Sequence, residues 1–190
     1  GVCSLGCKLQ TQMAMNIVLV GAGNLATNIG KAISRSGHPI VQVYSRTEAS
    51  AKTLADTLGC TYAISIDDVV EDADLYIIAL KDSVLKDVAG LLVKGRESRL
   101  FVHTAGSIDM DIMPALRRGV FYPMQTFSKQ REVDFREIPI FIEAAHADDR
   151  DLLKSLASDI SGKVYELNSE NRKYLHLAAV FCCNFANHCF

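Results

Sequence analysis

The sequence predicts an α/β fold with a doubly wound, mostly parallel sheet, followed by the start of an α-helical domain. Short apolar runs, typical of strands buried on both faces, alternate with segments of helical periodicity through most of the chain. A Gly-x-Gly turn joins the first apolar run to the first helix. From Tyr174 onward the last stretch is apolar around nearly its whole helical circumference, so other helices must cover it.

Composition and charge narrow the class of protein. The chain has 190 residues, of which 49% are hydrophobic and 22% are charged, and its formal net charge is −2. That charge provides no field that would attract nucleic acid or an anionic membrane, and no apolar run approaches the roughly 20 residues of a membrane span. The cysteines include no C-x-x-C pair. We therefore expect a cytoplasmic protein with reduced thiols, no metal, and no nucleic-acid or membrane partner. The alternative is a zinc site at Cys182, His188 and Cys189, although their spacing matches no standard ligand set.

The first strand, turn and helix have the pattern of a dinucleotide-binding unit. NIVLV is a short buried strand, GAGNLA is the turn into the helix, and PIVQVYSRT is the strand that follows it. Gly21 can adopt the backbone conformation needed at the end of the strand, and Gly23 leaves room for a pyrophosphate beside the main chain. Ala26 is small enough for the helix to pack near the sheet. The free N–H groups at the start of the helix would then face the pyrophosphate.

The tip of the second strand predicts which dinucleotide binds. An NAD site usually has Asp or Glu there to hold the ribose hydroxyls. This strand ends instead in Ser45, Arg46 and Thr47, and Glu48 comes too late and opens the next helix. Arg46 can pair with a 2′-phosphate and stack on adenine, while the two hydroxyls can donate hydrogen bonds to that phosphate. This chemistry favours NADP as the cofactor, and the alternative is a solvated arginine in a loop.

The remaining elements follow from periodicity, apolar runs and end signals. Helical spacing predicts further helices at 47–58, ended by Gly59, at 83–93 and at 148–160, a helix start at Asp67 and Asp68, and a short helix at 108–117 with Pro114 inside or near it. Apolar runs predict strands at 60–64, 74–80, 100–103, 120–122, 138–143 and 163–167. The last helix is expected to begin at an N-cap, Ser169, with Glu170 in its first turn.

These elements divide the chain into three parts. Residues 1–14 lack the apolar core of a signal peptide, and we expect them to form an N-terminal extension. Residues 15–168 are expected to form the NADP-binding domain. Residues 169–190 are expected to be the first helix of a C-terminal helical domain, within which the sequence ends.

The carboxyl ends of the strands are the expected binding edge, because ligands of open α/β sheets lie there. A nicotinamide would run across the strand ends near Lys81, His103 and Tyr122. Lys81 is either a cofactor contact or a solvated loop residue. His103 is either a proton donor or a histidine bonded to neighbouring backbone. The expected cofactor contacts are Gly21, Gly23, Asn24, Leu25, Ser45, Arg46, Thr47, Leu80, Lys81, His103, Thr104 and Gly106.

Six motifs carry a resemblance to a known family. They are VGAGNLA (20–26), YSRT (44–47), ALKDS (79–83), VHTAGS (102–107), YPMQTFS (122–128) and LHLAAVFCCN (175–184). With them the chain resembles the pyrroline-5-carboxylate reductase-like, F420-dependent NADP oxidoreductase-like group. More narrowly, it resembles the bacterial Rossmann-like proteins that carry a C-terminal domain called DUF2520.

The resemblance covers essentially Met15 to Phe190. It implies a Rossmann sheet followed by a helical domain of the 6-phosphogluconate dehydrogenase C-terminal type, and a homodimer formed through that domain. It also implies that catalysis occurs in the cleft between the two domains. It supplies no substrate.

The resemblance also implies catalytic residues on the last helix. Related β-hydroxyacid dehydrogenases place a catalytic Lys and Asn there, and this sequence has His176 and Asn184. Positions eight apart differ by roughly 80° around a helix, so both can border one cleft, and histidine suits proton transfer near neutral pH. The alternatives are that both are core polar groups bonded to the rest of the helical domain, or that Lys173 is the acid. Many relatives have His where this sequence has Tyr122, so the resemblance assigns that position no role.

Two classes of function remain. The first is an oxidoreductase that moves hydride between NADPH and a small imine or keto substrate, with the protein orienting the cofactor and protonating the product. The second is a nucleotide-binding sensor or scaffold that holds NADP(H) without turnover. The fold alone does not separate them.

Overall fold

A single sheet organises the chain. The computed structural model describes residues 14–128 and 133–188, without the side chains of 183–188, so most of the predicted N-terminal extension lies outside it. The strands are β1 (Ile17–Val20), β2 (Ile40–Tyr44), β3 (Thr61–Ala63), β4 (Leu75–Ile78), β5 (Leu100–His103), β6 (Arg117–Pro123), β7 (Ile140–Ala144) and β8 (Val164–Glu166). Within the described residues they form one sheet in the order β3-β2-β1-β4-β5-β6-β7-β8. Only β6 and β7 of this sheet pair antiparallel, which confirms the mostly parallel arrangement predicted from the sequence.

Helices cover both faces of the sheet. They are α1 (Asn24–Arg35), α2 (Glu48–Leu58), α3 (Asp82–Val93), α4 (Ala147–Ile160) and α5 (Ser169–His188). The buried side chains of α1, α2 and α4 join one hydrophobic core, and those of α3 join the core on the opposite face. This is the doubly wound α/β fold that the sequence predicts. In the stretches that the structure describes, no helix is both long and apolar enough to cross a membrane.

Two glycines allow the first helix to approach the sheet closely. Gly21 has a φ of 119°, in the left-handed region, and a Cβ there would overlap the carbonyl oxygen of Ala79. Gly30 lies in the middle of α1, where a Cβ would be 3.0 Å from methyl groups of Leu19 and Leu58. Ala26 is fully buried, as expected for the small residue of the turn motif. The expected conformation of Gly21 is therefore confirmed, and Gly30 is a second close contact that the sequence analysis missed.

One local prediction is wrong, and a second holds only as a 3₁₀ turn. In place of the helix expected at 108–117, the structure has a 3₁₀ turn at Met110–Ile112, and strand β6 already begins at Arg117. Pro114 explains the difference, because it lacks the N–H that a helix needs and keeps the preceding residue out of the helical conformation. The helix start expected at Asp67 and Asp68 is a 3₁₀ turn, Ile66–Asp68, with both aspartates in its first turn.

Arg96 joins the end of α3 to the segment that precedes β4. Arg96 is 5% exposed. Among the described residues, its guanidinium donates hydrogen bonds only to backbone carbonyls. The carbonyls belong to Ile66, Val69, Val70, Leu92 and Lys94. Since a guanidinium carries five N–H groups, this arrangement satisfies the buried side chain completely.

The start of α5 differs from the prediction in its cap. The side chain of Asn168 accepts a hydrogen bond from the backbone N–H of Asn171, at 2.9 Å, so Asn168 is the N-cap. The Ser169 hydroxyl is used elsewhere. It donates to Glu143 Oε2, at 2.7 Å, and accepts the N–H of Met110, at 3.0 Å. Ser169 therefore attaches the helix to the sheet rather than capping it.

Arg172 completes this attachment. It is fully buried and donates to Glu143 Oε2, to the Ser169 hydroxyl and to the carbonyl of Ile108. One turn of α5 is thereby fixed to β7 and to the segment after β5.

The outer face of α5 is apolar and exposed. Tyr174, Leu177 and Phe181 are 67%, 53% and 65% exposed, and their spacing of three and four places them on one side of the helix. No described residue covers this face. The helical domain expected to cover it remains a prediction.

Candidate functional site

A cleft of about 390 Å³ lies at the carboxyl edge of the sheet, where β1, β2 and β4 end. Predicted cofactor contacts make up about half of its lining: Gly21, Gly23, Ser45, Arg46, Thr47, Leu80 and Lys81. The rest of the lining, which sequence reasoning missed, is Ala22, Tyr44, Ser50, Ala79, Val84 and Val88. The fold therefore gathers residues from three separate motifs around one space.

The turn into α1 forms one end of this cleft. A Cβ built at Gly23 would meet no atom within 4 Å, so the main chain borders open space there. Gly23 caps α1 without any side-chain hydrogen bond, and the first turn of the helix has no acidic residue. The positive end of the helix dipole is thus left without a competing carboxylate. These features fit a pyrophosphate.

The tip of β2 forms the opposite end. Arg46 and Thr47 are exposed, and the Ser45 hydroxyl accepts the N–H of Thr47 at 3.3 Å. Arg46 forms no ion pair with any residue that the structure describes. Burial raises the pKa of Tyr44, and the nearby Arg46 guanidinium opposes that rise. A free guanidinium beside two hydroxyls is suited to a phosphate group.

One wall of the cleft is apolar. Val84 and Val88 lie one turn apart on α3 and face the cleft together with Leu80. The i, i+4 valine pair on a helix that begins beside the binding edge was a signal in the sequence. Lys81 also lines the cleft, with an exposed side chain, where its backbone begins α3.

The other predicted cofactor contacts do not line this cleft: Asn24, Leu25, His103, Thr104 and Gly106. Asn24 donates from its amide to the carbonyl of Phe127, at 3.0 Å. One turn later, buried Asn28 donates to the carbonyl of Ser128, at 3.0 Å. The start of α1 therefore holds the segment that follows β6. Thr104 is also used within the fold, since its hydroxyl donates to the carbonyl of Ile78.

His103 is fully buried at the end of β5. Its Nδ1 accepts the N–H of Ala105 at 3.2 Å, so the proton sits on Nε2, which lies 3.2 Å from the carbonyl of Asp109. Burial, with a smaller effect of the Arg172 guanidinium, lowers the pKa of His103 to about 4. Both ring nitrogens are thus bonded to backbone, which favours the structural alternative over a proton donor.

A second group of polar side chains lies beside Gly106, after β5. The Tyr122 hydroxyl and the Nδ1 of His176 are 2.9 Å apart, and the two rings meet edge-on. A Cβ at Gly106 would overlap the His176 ring and lie 2.8 Å from Tyr122 Cζ. Tyr122 is the functional candidate that sequence reasoning left without a role.

A hydrogen bond connects this group to the cleft. The Ser107 hydroxyl, next to Gly106, donates to the carboxylate of Asp82, the first residue of α3. Asp82 directly follows Lys81, which lines the cleft. His176 therefore lies at the same edge of the sheet as the cleft.

The other predicted catalytic residues are placed differently. Lys173 forms a surface ion pair with Asp109, with 3.3 Å between Nζ and Oδ2, and its side chain is 45% exposed. Asn184 lies in α5, but its side chain is outside the described residues.

Comparison with known families confirms the resemblance expected from the motifs. The family described as "Rossmann-like domain" matches residues 6–126. The family described as "Domain of unknown function (DUF2520)" matches residues 138–190. No curated protein matches the chain.

Solved structures with the same fold include one protein described as an oxidoreductase and two named as reductases. A Bacteroides fragilis protein described as a putative NADP oxidoreductase is 56% identical, with a TM-score of 0.88, over 92% of this chain and 69% of that one. An imine reductase from Myxococcus stipitatus in complex with NADP⁺ is 16% identical, with a TM-score of 0.71, over 91% of this chain and 62% of that one. A pyrroline-5-carboxylate reductase from Coxiella burnetii is 20% identical, with a TM-score of 0.68, over 83% of this chain and 60% of that one. The chain thus spans between 60% and 69% of their lengths, and the last two show the fold alone.

Proposed function

We propose that this chain, which belongs to the Rossmann-like domain family, binds NADP(H) and transfers hydride between NADPH and a small imine or keto substrate. One observation carries the proposal. The cleft joins a glycine turn open to a pyrophosphate with a strand tip that has a free arginine in place of the usual carboxylate. The Bacteroides fragilis relative, described as a putative NADP oxidoreductase, supports the same cofactor and reaction class.

Each part of the cleft has a role in holding the cofactor. The first-turn N–H groups of α1 would bind the pyrophosphate, and the missing side chain of Gly23 gives it room. Arg46, with the hydroxyls of Ser45 and Thr47, would bind the 2′-phosphate. Val84 and Val88 would pack against the adenosine half. When bound, the nicotinamide would supply or accept the hydride.

His176 would hold the proton that the reduced substrate needs. Its side chain is half-buried, and its Nε2 has no hydrogen-bond partner in the part of the chain that the structure describes. Lys173 is less suited, because its ammonium group already pairs with Asp109 at the surface. Asn184 would orient either the substrate or the imidazole, as the family resemblance implies.

The proposal includes the domain division and the assembly. Residues 15–168 would form the NADP-binding domain and residues 169–190 the first helix of a helical domain. The exposed apolar face of α5 would pack in a homodimer of this chain.

Oxidation of NADPH measured against a panel of small substrates tests the function. Cyclic imines come first, because two proteins of this fold are named as an imine reductase and a pyrroline-5-carboxylate reductase. The panel also contains 2-keto acids and 3-keto acids. We expect turnover of at least one class. Tight NADP(H) binding without turnover of any class would support the sensor alternative, and failure to bind NADP(H) would overturn both.

A further inference from the structure

We propose that Tyr122 and His176 form a proton relay, in which the Tyr122 hydroxyl holds the Nδ1 of His176 and leaves the Nε2–H of the same ring to be offered to substrate. The chemistry of this inference rests on the proposed function. The hydrogen bond and the tautomer that it selects do not depend on that function. Both can be measured without cofactor or substrate.

The hydrogen bond defines the tautomer. Tyr122 lies on β6, is 9% exposed, and places its hydroxyl 2.9 Å from the Nδ1 of His176. A neutral imidazole has one donor and one acceptor nitrogen, and a phenol readily donates. When the hydroxyl donates to Nδ1, the ring proton must be on Nε2. That nitrogen has no partner among the described residues.

Gly106 makes this contact possible. Its φ is not in the left-handed region, so the backbone does not itself require glycine there. The space does, because a Cβ would overlap the Nδ1 and Cγ of His176 and lie 2.8 Å from Tyr122 Cζ. Both rings of the relay thus meet over a residue without a side chain.

The helix that carries His176 is fixed independently. Arg172, one turn earlier on α5, is fully buried and bonded to Glu143 and to the carbonyl of Ile108. The position of the His176 backbone is therefore set by that attachment. What Tyr122 adds is the orientation of the ring and the location of its proton.

The relay moves two protons in one direction. When the substrate is reduced, the Nε2–H bond would break and its proton would pass to the substrate nitrogen or oxygen. The Tyr122 O–H bond breaks and its proton passes to Nδ1, so the imidazole stays neutral and the tyrosine becomes a phenolate. The pair resets when Nδ1 returns its proton to the phenolate and Nε2 takes one from a solvent water, which leaves as hydroxide. Tyr122 is thus a positioning residue that acts through His176.

Imidazole ¹⁵N–¹H correlation spectra test the tautomer directly. In the unligated chain, with neutral imidazoles, we expect His176 to carry its proton on Nε2 and to show Nδ1 as a hydrogen-bond acceptor. Tyr122→Phe should remove that acceptor signature. Gly106→Ala should remove it as well, by separating the two rings. Tyr165→Phe, which deletes a hydroxyl from exposed β8, is the matched control, and His103 should show the Nε2–H tautomer in every variant. A wild-type His176 with its proton on Nδ1 overturns the proposal.

Kinetics then separate the relay from a structural role. With a substrate that the protein turns over, Tyr122→Phe should lower kcat roughly 10²-fold, at the lower end of the loss expected for a general acid. The KM for NADPH and the melting temperature should stay close to those of the wild type. An unchanged kcat overturns the relay. Loss of activity in Tyr122→Phe with full activity in His176→Ala also overturns it, and would make Tyr122 the direct donor.

Discussion

Arg172 of α5 and Glu143 of β7 form an ion pair in which the arginine is wholly buried, with 2.5 Å between Nη1 and Oε2. Removing one partner of such a pair leaves an uncompensated buried charge, which costs several kcal/mol, about 3–5 in typical cases. Because His176 lies one turn further along α5, its position depends on a pair that is outside the cleft. The position of His176, the proposed proton donor, and the stability of the helix attachment are therefore linked.

Cofactor choice is expected to depend on Arg46. Wild-type protein should bind NADP(H) more tightly than NAD(H). Arg46→Ala should weaken the binding of NADP(H) and leave the affinity for NAD(H) unchanged. The expected loss is about 1.5–3 kcal/mol, the usual value for hydrogen bonds to a charged group, or roughly 10- to 100-fold in affinity. Fluorescence titration of both cofactors measures it. Arg150→Ala, an exposed arginine of α4 paired with Glu166, should change neither affinity. Equal affinities in the wild type would show that the NADP assignment is wrong.

Gly23→Val is expected to abolish binding of both cofactors while the fold stays intact. Its side chain would enter space that holds no protein atom within 4 Å of the Cβ position, so it should block a pyrophosphate without a clash. Titration with NADP(H) and NAD(H), together with a thermal melt, separates binding from folding. Gly90→Val is the matched control, because a Cβ at that helical glycine also meets no atom within 4 Å. Retained binding in Gly23→Val would place the pyrophosphate elsewhere.

His176→Ala is expected to lower turnover by roughly 10²- to 10⁴-fold, the scale for losing a general acid. Cofactor affinity should hardly change, because His176 is not among the residues that line the cleft. Steady-state kinetics with the best substrate of the panel give kcat, and a fluorescence titration gives the affinity. Activity that survives in His176→Ala but disappears in Lys173→Ala would assign the acid to Lys173.

The exposed face of α5 is expected to pair two copies of the chain. Each large apolar side chain that becomes fully buried contributes roughly 1.5–3 kcal/mol, and Tyr174, Leu177 and Phe181 form one such face. Light scattering should give the mass of a dimer for the wild type and of a monomer for a Leu177→Asp, Phe181→Asp double variant. Leu116→Asp, at a 71% exposed position away from α5, should leave the dimer intact. A monomeric wild type would contradict the prediction.

Stability is expected to fall in acid because of His103. Its pKa is about 4 in the folded protein and near the ordinary value of 6.5 in the unfolded chain, so the unfolded state binds the proton first. The neutral imidazole contributes fully to the free energy of unfolding above pH 6.5. That contribution, up to about 3 kcal/mol, is lost as the pH falls towards 4. Urea unfolding at several pH values measures this loss. Below pH 6.5, the free energy of unfolding should fall more steeply with decreasing pH for the wild type than for His103→Gln. Equal slopes would mean that the buried imidazole titrates normally.

Sequence reasoning reached the features that short-range patterns encode. The glycine turn and the tip of β2 are contiguous motifs, and both line the cleft. The prediction of a helix at 108–117 was wrong because it gave helical spacing more weight than the helix-breaking effect of Pro114. The contact between Tyr122 and His176 joins residues 54 positions apart, and no local pattern marks it. It depends on the packing of α5 against the sheet, which only the structure shows.

The first turn of α1 has a consequence for how the binding edge responds to a ligand. The first two turns of α1 hold the backbone after β6, through hydrogen bonds from Asn24 to Phe127 and from Asn28 to Ser128. The first of these turns is the one whose N–H groups are proposed to bind the pyrophosphate. If the dinucleotide binds at that turn as proposed, these two hydrogen bonds would connect its site to the segment after β6. Coupling between two sites is reciprocal, so a ligand that orders the segment would then strengthen dinucleotide binding by the same free energy.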